Sequence, residues 1–244
     1  MNLVIDIGNS RTKISVFDTS GIVYHEAMDD ICPDNLKGII DKYPGINRSI
    51  LSATKDYDPV IPRMLRSAMG LFIEMDASVL IPLRNGYKTP ETLGKDRLAA
   101  AVGANFLFPG ENLLIIDAGT ALTFDLVTRE AEFRGGNISP GLEMRFRALN
   151  QFTGKLPLVN SGVIDQFWGD TTLNAIRSGV QNGIIFEIQG YIEFFKKNYQ
   201  KIQVIFTGGD TKFFESKLKY SFFVHSNLVA TGLNRILDYN AKIL

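Results

Sequence analysis

The feature that most constrains the fold is an apolar, strand-like run ending in Asp-x-Gly, which occurs twice about half a chain apart. The first copy is residues 3–9 (LVIDIGN) and the second is residues 114–120 (LIIDAGT). A second β-rich run follows each copy, at residues 13–18 and 122–127. The repeat predicts two β-hairpins, each with a tight turn that presents a carboxylate and bare backbone N–H groups.

The rest of the chain alternates between strand-like and helix-like patterns. Further strands are predicted at residues 21–27, 49–52, 71–74, 132–138, 202–207 and 222–224. Helices are predicted at residues 34–42, 59–69, 94–106, 142–151, 171–197, 212–218 and 228–237. Hairpins followed by alternating strands and helices indicate mixed-sheet α/β units, one in each half of the chain.

Composition excludes several classes of function. Lysine plus arginine and aspartate plus glutamate each number 26, so no global field attracts nucleic acid or an acidic membrane. Cys32 is the single cysteine, which precludes an intrachain disulfide and fits a reducing compartment. No apolar run reaches the roughly 18 residues of a spanning helix, and Asp6 interrupts the first apolar run too early for a signal peptide. We therefore expect a cytoplasmic protein.

The paired Asp-x-Gly turns have a chemical interpretation. Backbone N–H groups exposed by glycine can bind a phosphate tail, and the adjacent carboxylate can hold its Mg²⁺. A single Asp-x-Gly is usually an ordinary turn, but two copies behind apolar strands favour a nucleotide site. The pattern resembles the superfamily of actin, Hsp70 chaperones and sugar kinases. That resemblance implies a duplicated ribonuclease-H-like α/β fold, with lobes at residues 1–111 and 112–244, mixed sheets flanked by helices, and ATP in the cleft.

Further motifs narrow the choice. They are YKTPETLGKDR at 87–97, DAGTALT at 117–123, GGNISPG at 135–141, KLP at 155–157, GDTT at 169–172 and TGG at 207–209. In this order and spacing the set resembles the type III pantothenate kinase family, from Asp6 to Gly232. The resemblance implies ATP-dependent phosphorylation of pantothenate to 4′-phosphopantothenate, the first step of coenzyme A biosynthesis. One departure is Ser10, where the family usually has threonine, and the hydroxyl is kept.

The resemblance also implies roles for individual residues. Asp96 is the base, Asp117 binds a monovalent cation (K⁺ or NH₄⁺), and Asp6 is a candidate ligand for the Mg²⁺ of ATP. The ATP-binding residues are Asp6, Ile7, Gly8, Asn9, Ser10, Arg11, Thr12, Lys13 and Thr120. The pantothenate-binding residues are Tyr87, Gly94, Lys95, Asp96, Arg97 and Thr172. The family is homodimeric, and Thr172 is expected to complete the pantothenate site of the neighbouring subunit.

Elementary chemistry supports the central roles. Phosphoryl transfer to an alcohol needs a carboxylate to take the proton and positive charge or N–H groups around the phosphoryl oxygens. Asp96, at a helix start, suits the first task, and Arg97 beside it can pair with an anionic substrate. Taken alone, Asp96 is better explained as a helix N-cap or first-turn acid, and the surrounding motifs reverse that preference. Lys13 can reach a phosphate, although a solvated hairpin lysine explains it almost as well. Trp168 lies two residues before Asp170, near the GDTT motif expected at the pantothenate site, and either a lining or a packing role is open.

Glycines mark two helices as candidates for close packing. Gly179, Gly183 and Gly190 share one face of the longest predicted helix, where another backbone can approach closely. The neighbour is either the other half of the chain or a second subunit. The helix predicted at 94–106 has a similar small face in Ala99, Ala100, Gly103 and Ala104.

Two other functions remain open. Some relatives are described as accessory factors for transcription, in which case the cleft is a non-catalytic nucleotide sensor. The carboxylates and Arg97 argue for catalysis instead, since a sensor has no need of the base. A sugar kinase is the third option, but such enzymes are typically longer and lack the block at 87–97. His25 and His225 are isolated, so a histidine metal site is not expected.

Overall fold

The protein is described here by a computed structural model that covers residues 1–164 and 166–243. The chain divides into two compact units. The first comprises Met1–Gly110, Glu130–Arg134 and Asn227–Leu244, and the second comprises Glu111–Arg129 and Gly135–Ser226. The last segment of the chain thus belongs to the first unit. The division into ribonuclease-H-like lobes at residues 111 and 112 stays a prediction.

The first unit is built on a five-stranded sheet. Its elements in chain order are β1 (Asn2–Ile7), β2 (Thr12–Asp18), β3 (Gly21–Met28), α1 (Pro33–Lys42), β4 (Arg48–Ala53), α2 (Val60–Ala68) and β5 (Leu71–Glu74). The strand order is β3-β2-β1-β4-β5. β1 pairs with β2 antiparallel and with β4 parallel, so the predicted first hairpin and the mixed sheet are both confirmed.

Side-chain alternation explains how this sheet is held. Leu3, Ile5 and Ile7 on β1 point to one face and pack in a buried cluster with Leu36 of α1 and Leu65 of α2. Burial of each such side chain contributes about 1.5–3 kcal/mol relative to exposure. Asp6 lies on the opposite face, because successive residues of a strand alternate. The apolar face therefore anchors the strand whose end carries the first carboxylate.

The first unit also contains β6 (Arg84–Asn85), a short 3-10 helix (Pro90–Thr92) and α3 (Lys95–Leu107). The second unit follows with β7 (Asn112–Ala118), β8 (Ala121–Val127), β9 (Glu132–Pro140), α4 (Leu142–Gln151), α5 (Thr172–Asn198), β10 (Ile202–Thr207), α6 (Thr211–Glu215) and β11 (Phe223–Val224). The chain then returns to the first unit as α7 (Leu228–Asn240).

The sheet of the second unit has the strand order β11-β10-β7-β8-β9. β7 and β8 form the predicted second hairpin, while β10 runs parallel to both β7 and β11. Its core contains the fully or almost fully buried rings of Phe124, Phe146 and Phe206. The start of β9 lies in the first unit, where β6 pairs with it through Arg84↔Glu132 and Asn85↔Phe133.

Most of the predicted elements are confirmed. The boundaries of α4, β5 and β10 coincide with the prediction, and α7 extends three residues further, to Asn240. The helix predicted at 212–218 is shorter, because α6 ends at Glu215. β6 was not predicted, since two polar residues carry no strand pattern. Within the described residues, no helix combines the length and apolarity needed to cross a bilayer.

Helices α3 and α7 are in backbone contact. A Cβ placed on Gly232 of α7 would lie 1.8 Å from the carbonyl oxygen of Ala99, and one on Gly103 of α3 would lie 2.5 Å from that of Leu228. No side chain fits at either position, so glycine is required. The small face predicted for α3 is thus filled within the chain.

Candidate active site

The first Asp-x-Gly hairpin ends in an open loop. Asp6 lies opposite Lys13 on β2 and beside Ser52 on β4, and only 7% of its surface is exposed. The Gly8 amide donates to the Arg11 carbonyl at 3.0 Å and closes the turn. Asn9, Ser10 and Arg11 are exposed. The loop therefore offers exposed polar groups directly beside a buried carboxylate and the lysine opposite it on β2, which suits an anionic ligand with its cation.

Two of the predicted ATP-binding residues lie in the strands on either side of this loop. Ile7 and Thr12 are registered opposite each other at the strand ends, and both are buried. Ile7 belongs to the apolar cluster of the first unit. The Ile7 carbonyl also accepts hydrogen bonds from the backbone and the hydroxyl of Thr54, at 2.9 and 3.2 Å. We expect these two side chains to hold the loop's shape, while residues 8–11 face the ligand.

The motif at 87–97 brings Tyr87 and Arg97 together. The guanidinium carbon of Arg97 lies 5.8 Å from the centroid of the Tyr87 ring and 6.0 Å from that of Phe133. Arg97 is buried, with 7% exposure, and Phe133 is fully buried. Sequence reasoning missed Phe133, which lies in no motif; its only signal was an aromatic residue at the start of a predicted strand.

Asp96 occupies the first turn of α3. Its Oδ1 accepts a hydrogen bond from the Arg97 amide at 2.8 Å, and the side chain is half-buried. Gly94 is the N-cap, and a Cβ there would lie 2.6 Å from the same Oδ1. The glycine thus makes room for the carboxylate. A carboxylate at a helix N-terminus is held in place by the free amides, and its second oxygen can accept a proton.

The second Asp-x-Gly hairpin is braced by two glycine-containing turns. A Cβ on Gly208 would lie 2.5 Å from Asp117 Oδ1, and Gly208 has a φ of +97° that glycine adopts readily. A Cβ on Gly141 would lie 2.2 Å from the Gly119 carbonyl oxygen. Thr120, at the tip, is exposed. The two turns therefore pack closely against the backbone and carboxylate of Asp117 and its neighbours.

Asp210 is a further acidic residue at this turn. Its amide donates to the Ala118 carbonyl at 2.9 Å, which ties the end of the TGG motif to the second hairpin. Burial, with a smaller contribution from the negative charge of Glu143, raises the pKa of the Asp210 carboxyl. Sequence reasoning noted residues 207–209 but not this neighbour; its position directly after the motif was the available signal.

Thr172 begins α5 and is exposed. The preceding residue, Thr171, is the N-cap and accepts a hydrogen bond from the Asn174 amide at 3.2 Å. The Asn174 side chain also donates to Asp170 at 3.0 Å, and this bond lowers the pKa of the Asp170 carboxyl. Thr172 therefore stands on an ordered helix start with its hydroxyl on the surface.

Trp168 lines a cavity next to this helix start. The cavity measures about 120 Å³, and its wall also includes Asn174 and Arg177. The Trp168 ring is 77% exposed and packs edge-on against Phe167, with 5.0 Å between centroids. Trp168 thus both lines this cavity and packs on Phe167, and a role in lining the pantothenate site stays a prediction.

The described residues contain no group of three or more histidine, cysteine, aspartate or glutamate side chains that could hold a metal ion. A divalent ion that arrives with ATP does not need such a group, because Mg²⁺ is usually bound through one or two carboxylates and the substrate phosphates. A single carboxylate such as Asp6 fits that mode of binding.

Comparison with known proteins identifies the family. A family model for type III pantothenate kinase matches residues 2–194. A type III pantothenate kinase from Phocaeicola vulgatus is 44% identical over 243 residues, covering 100% of both chains. Among solved structures, a protein from Campylobacter jejuni described as a Baf family transcriptional activator aligns with a TM-score of 0.63 at 20% identity, covering 98% of this chain and 99% of that one.

A second solved structure identifies the fold more broadly. A glucokinase from an Antarctic psychrotroph aligns with a TM-score of 0.55 at 10% identity, covering 98% of each chain. At such identities the likeness concerns the fold alone, and it confirms the expected fold of the actin-like ATPases and sugar kinases. The family model and the full-length relative go further: the chain belongs to the type III pantothenate kinase family.

Proposed function

We propose that this protein transfers the γ-phosphate of ATP to the primary hydroxyl of pantothenate, giving 4′-phosphopantothenate in the first step of coenzyme A biosynthesis. The observation that carries the proposal is the first turn of α3, where the half-buried Asp96 and the buried Arg97 are adjacent in a chain of this family. We expect the reaction to take place in the cytoplasm.

The chain's own residues divide the work as follows. Asp96 accepts the proton of the pantothenate hydroxyl as its oxygen bonds to the γ-phosphorus, and the bond from phosphorus to the β,γ-bridging oxygen breaks to release ADP. Residues 8–11 and Lys13 bind phosphate oxygens, with Thr120 as a further contact to ATP. Arg97 and Tyr87 hold the anionic end of pantothenate, and Gly94 and Lys95 line the same site. General-base catalysis of this kind typically contributes ~10²–10⁴-fold.

Two cations complete the proposal. Mg²⁺ accompanies ATP and neutralises phosphate charge, and Asp6 is our candidate ligand for it. A monovalent cation, K⁺ or NH₄⁺, is expected at Asp117. The close approach of the Gly208 turn supports a ligand there, since glycine at position 208 leaves the space next to the Asp117 carboxylate that a side chain would fill.

The working unit we propose is a homodimer whose pantothenate sites each include Thr172 of the neighbouring subunit. Support comes from the face of α5 that carries Gly179, Gly183 and Gly190. A Cβ on any of the three would meet no atom within 4 Å in the described part of the chain. A glycine face that none of the described residues approaches suits a helix of a second copy.

The accessory-factor alternative has less support. The neighbour from Campylobacter jejuni shares the fold, but 20% identity does not transfer its described role. The formal net charge of +0 gives no overall attraction to DNA. No feature of the described residues favours a non-catalytic sensor over a kinase.

An ADP-release assay tests the proposal. The purified protein is given ATP and Mg²⁺ with pantothenate or with each of a panel of sugars, in the presence and absence of potassium. Among the acceptors tested, we expect only pantothenate to support ADP release. We expect potassium to accelerate that release. Release with a sugar but not with pantothenate would identify a sugar kinase, and no release with any acceptor would favour the accessory role.

A further inference from the structure

Arg97 is held between two aromatic rings that come from different parts of the chain. Tyr87 and Phe133 lie 6.2 Å apart between centroids, tilted by 40°. The Arg97 guanidinium lies over both rings. A cation near aromatic faces is attracted by the ring quadrupoles, and the attraction grows as water is excluded. Since Arg97 and Phe133 are both buried, this contact is largely dry.

Phe133 is fixed in this position by the pairing of β6 with the start of β9. The Gly86 amide donates to the Phe133 carbonyl at 2.9 Å, and the Arg84 amide donates to the Ala131 carbonyl at 2.9 Å. A Cβ on Gly86 would lie 3.0 Å from the Phe133 carbonyl oxygen and 2.8 Å from Glu132 Oε1, so the two strands approach closely at this glycine. The residue before Tyr87 is therefore locked to Phe133 through the backbone.

Charged side chains on the same strands add to this lock. Glu132 accepts hydrogen bonds from Arg84 at 2.7 Å and from Arg134 at 3.1 Å. The bond from Arg84 is the main reason that the pKa of the Glu132 carboxyl is lowered, and Arg134 contributes in the same direction. The two-residue strand β6 is thus held at both its backbone and its side chains.

The fixed position of Phe133 limits the conformations open to the Arg97 side chain. A free arginine side chain samples many rotamers, and a planar guanidinium recognises a carboxylate well only when its fork is oriented. The ring faces of Tyr87 and Phe133 restrict the guanidinium of Arg97, the residue that directly follows Asp96. The ring of Phe133 thereby fixes the charge that we assign to the anionic end of the substrate.

We propose that Phe133 is a positioning residue that holds Arg97 and Tyr87 for the carboxylate of pantothenate, and so determines the enzyme's preference for a carboxylate-bearing acceptor. The inference rests on the proposed function. It makes a claim that ordinary core packing does not: loss of the ring weakens recognition of the carboxylate specifically, and leaves the use of ATP unchanged.

The experiment compares pantothenate with pantothenol, its analogue with a hydroxymethyl group in place of the carboxylate. For Phe133→Leu we expect the KM for pantothenate to rise about tenfold, the size of effect that a desolvated cation–π contact supports. The kcat at saturation, the KM for ATP and the kcat/KM for pantothenol are expected to stay near wild-type values. The control is Phe146→Leu, which removes an equally buried ring from the second unit, away from any cation contact in the described chain.

A second variant keeps the test valid if Phe133→Leu folds poorly. Site-specific incorporation of mono-, di- and trifluorinated phenylalanine at position 133 weakens the quadrupole stepwise at nearly constant shape. The preference for pantothenate over pantothenol should fall with each added fluorine. A preference that stays at the wild-type value across the series, or an equal loss with both acceptors, overturns the inference while the kinase assignment stands. A wild type that phosphorylates neither compound removes the proposed function and this inference together.

Discussion

Helices α3 and α5 both begin with residues that we assign to the pantothenate site, and both carry small residues along one face, but the two faces differ in what contacts them. On α3, the Gly103 position is so close to α7 that a Cβ would lie 2.5 Å from the Leu228 carbonyl oxygen. On α5, a Cβ at Gly179, Gly183 or Gly190 would find nothing within 4 Å in the described part of the chain.

Small residues on one face of a helix therefore mark two different environments, one packed within the chain and one open among the described residues. A glycine in a helix interior costs about 1 kcal/mol relative to alanine, and on α3 and α7 the cost is offset by close packing inside the chain. On α5 no such packing is present among the described residues. Large apolar side chains on the same helix, Leu173 and Phe186, are 50% and 55% exposed. We infer that α3 presents Asp96 and Arg97 from a helix whose small face is packed within its own chain. In contrast, α5 presents Thr172 to a second copy.

The largest expected effect is at the start of α3. Asp96→Asn keeps the shape of the side chain but removes the proton acceptor, so kcat should fall by ~10²–10⁴-fold with ATP binding unchanged. Steady-state kinetics and nucleotide titration measure the two quantities. Asp34→Asn, at an exposed first-turn acid of α1, is the matched control and should retain full activity. A mutant of Asp96 with more than about a tenth of wild-type activity would exclude it as the base.

Next in size is the filled contact between α3 and α7. Gly232→Val would place side-chain atoms against the Ala99 carbonyl, where even a Cβ lies at 1.8 Å, so the helices must separate. Such overpacking costs about 1–3 kcal/mol and occasionally more in the free energy of unfolding. Urea denaturation measures the change. The same substitution at Gly190, where a Cβ meets no described atom within 4 Å, should leave the stability of the isolated subunit nearly unchanged. Equal losses of stability at both positions would contradict the difference between the packed and the open helix face.

A smaller effect is expected at the open face. Gly183→Leu should leave the subunit folded but weaken the dimer by about 1–3 kcal/mol, since a packed helix interface tolerates added volume poorly. Sedimentation as a function of protein concentration measures the association. The KM for pantothenate should rise in parallel, because Thr172 is withdrawn from the neighbouring site. An unchanged mass and an unchanged KM would mean that this face is not the interface.

The smallest change tests whether the face is open in the single subunit. Gly179→Ala should stabilise α5 by up to about 1 kcal/mol when measured on dissociated subunits at low concentration, because alanine favours the helix and meets no atom. At high concentration the gain should shrink or reverse. A loss of stability in the dissociated subunit would show that Gly179 packs within its own chain.

Local patterns predicted the parts of this molecule that local physics decides. Both Asp-x-Gly hairpins and the start of α3 follow from apolar alternation, turn glycines and helix signals, and they were predicted. β6 was missed, since two polar residues have no periodicity and the strand exists only because Glu132 and Phe133 pair with it. Phe133 was missed for the same reason: its contact with Arg97 joins residues 36 positions apart, and one sequence carries no record of such contacts. The open face of α5 likewise became visible only when its neighbours were known.

Mixing of inactive subunits tests whether the pantothenate site of this kinase is shared between two copies of the chain. Asp96→Asn and Thr172→Ala subunits are prepared separately with different affinity tags, then mixed, and co-purification verifies subunit exchange. If each site combines Asp96 of one chain with Thr172 of the other, one site in every heterodimer is intact. Random exchange of equal amounts should then restore about a quarter of wild-type activity at limiting pantothenate. Heterodimers that form and show no activity above the two parents would contradict the shared site.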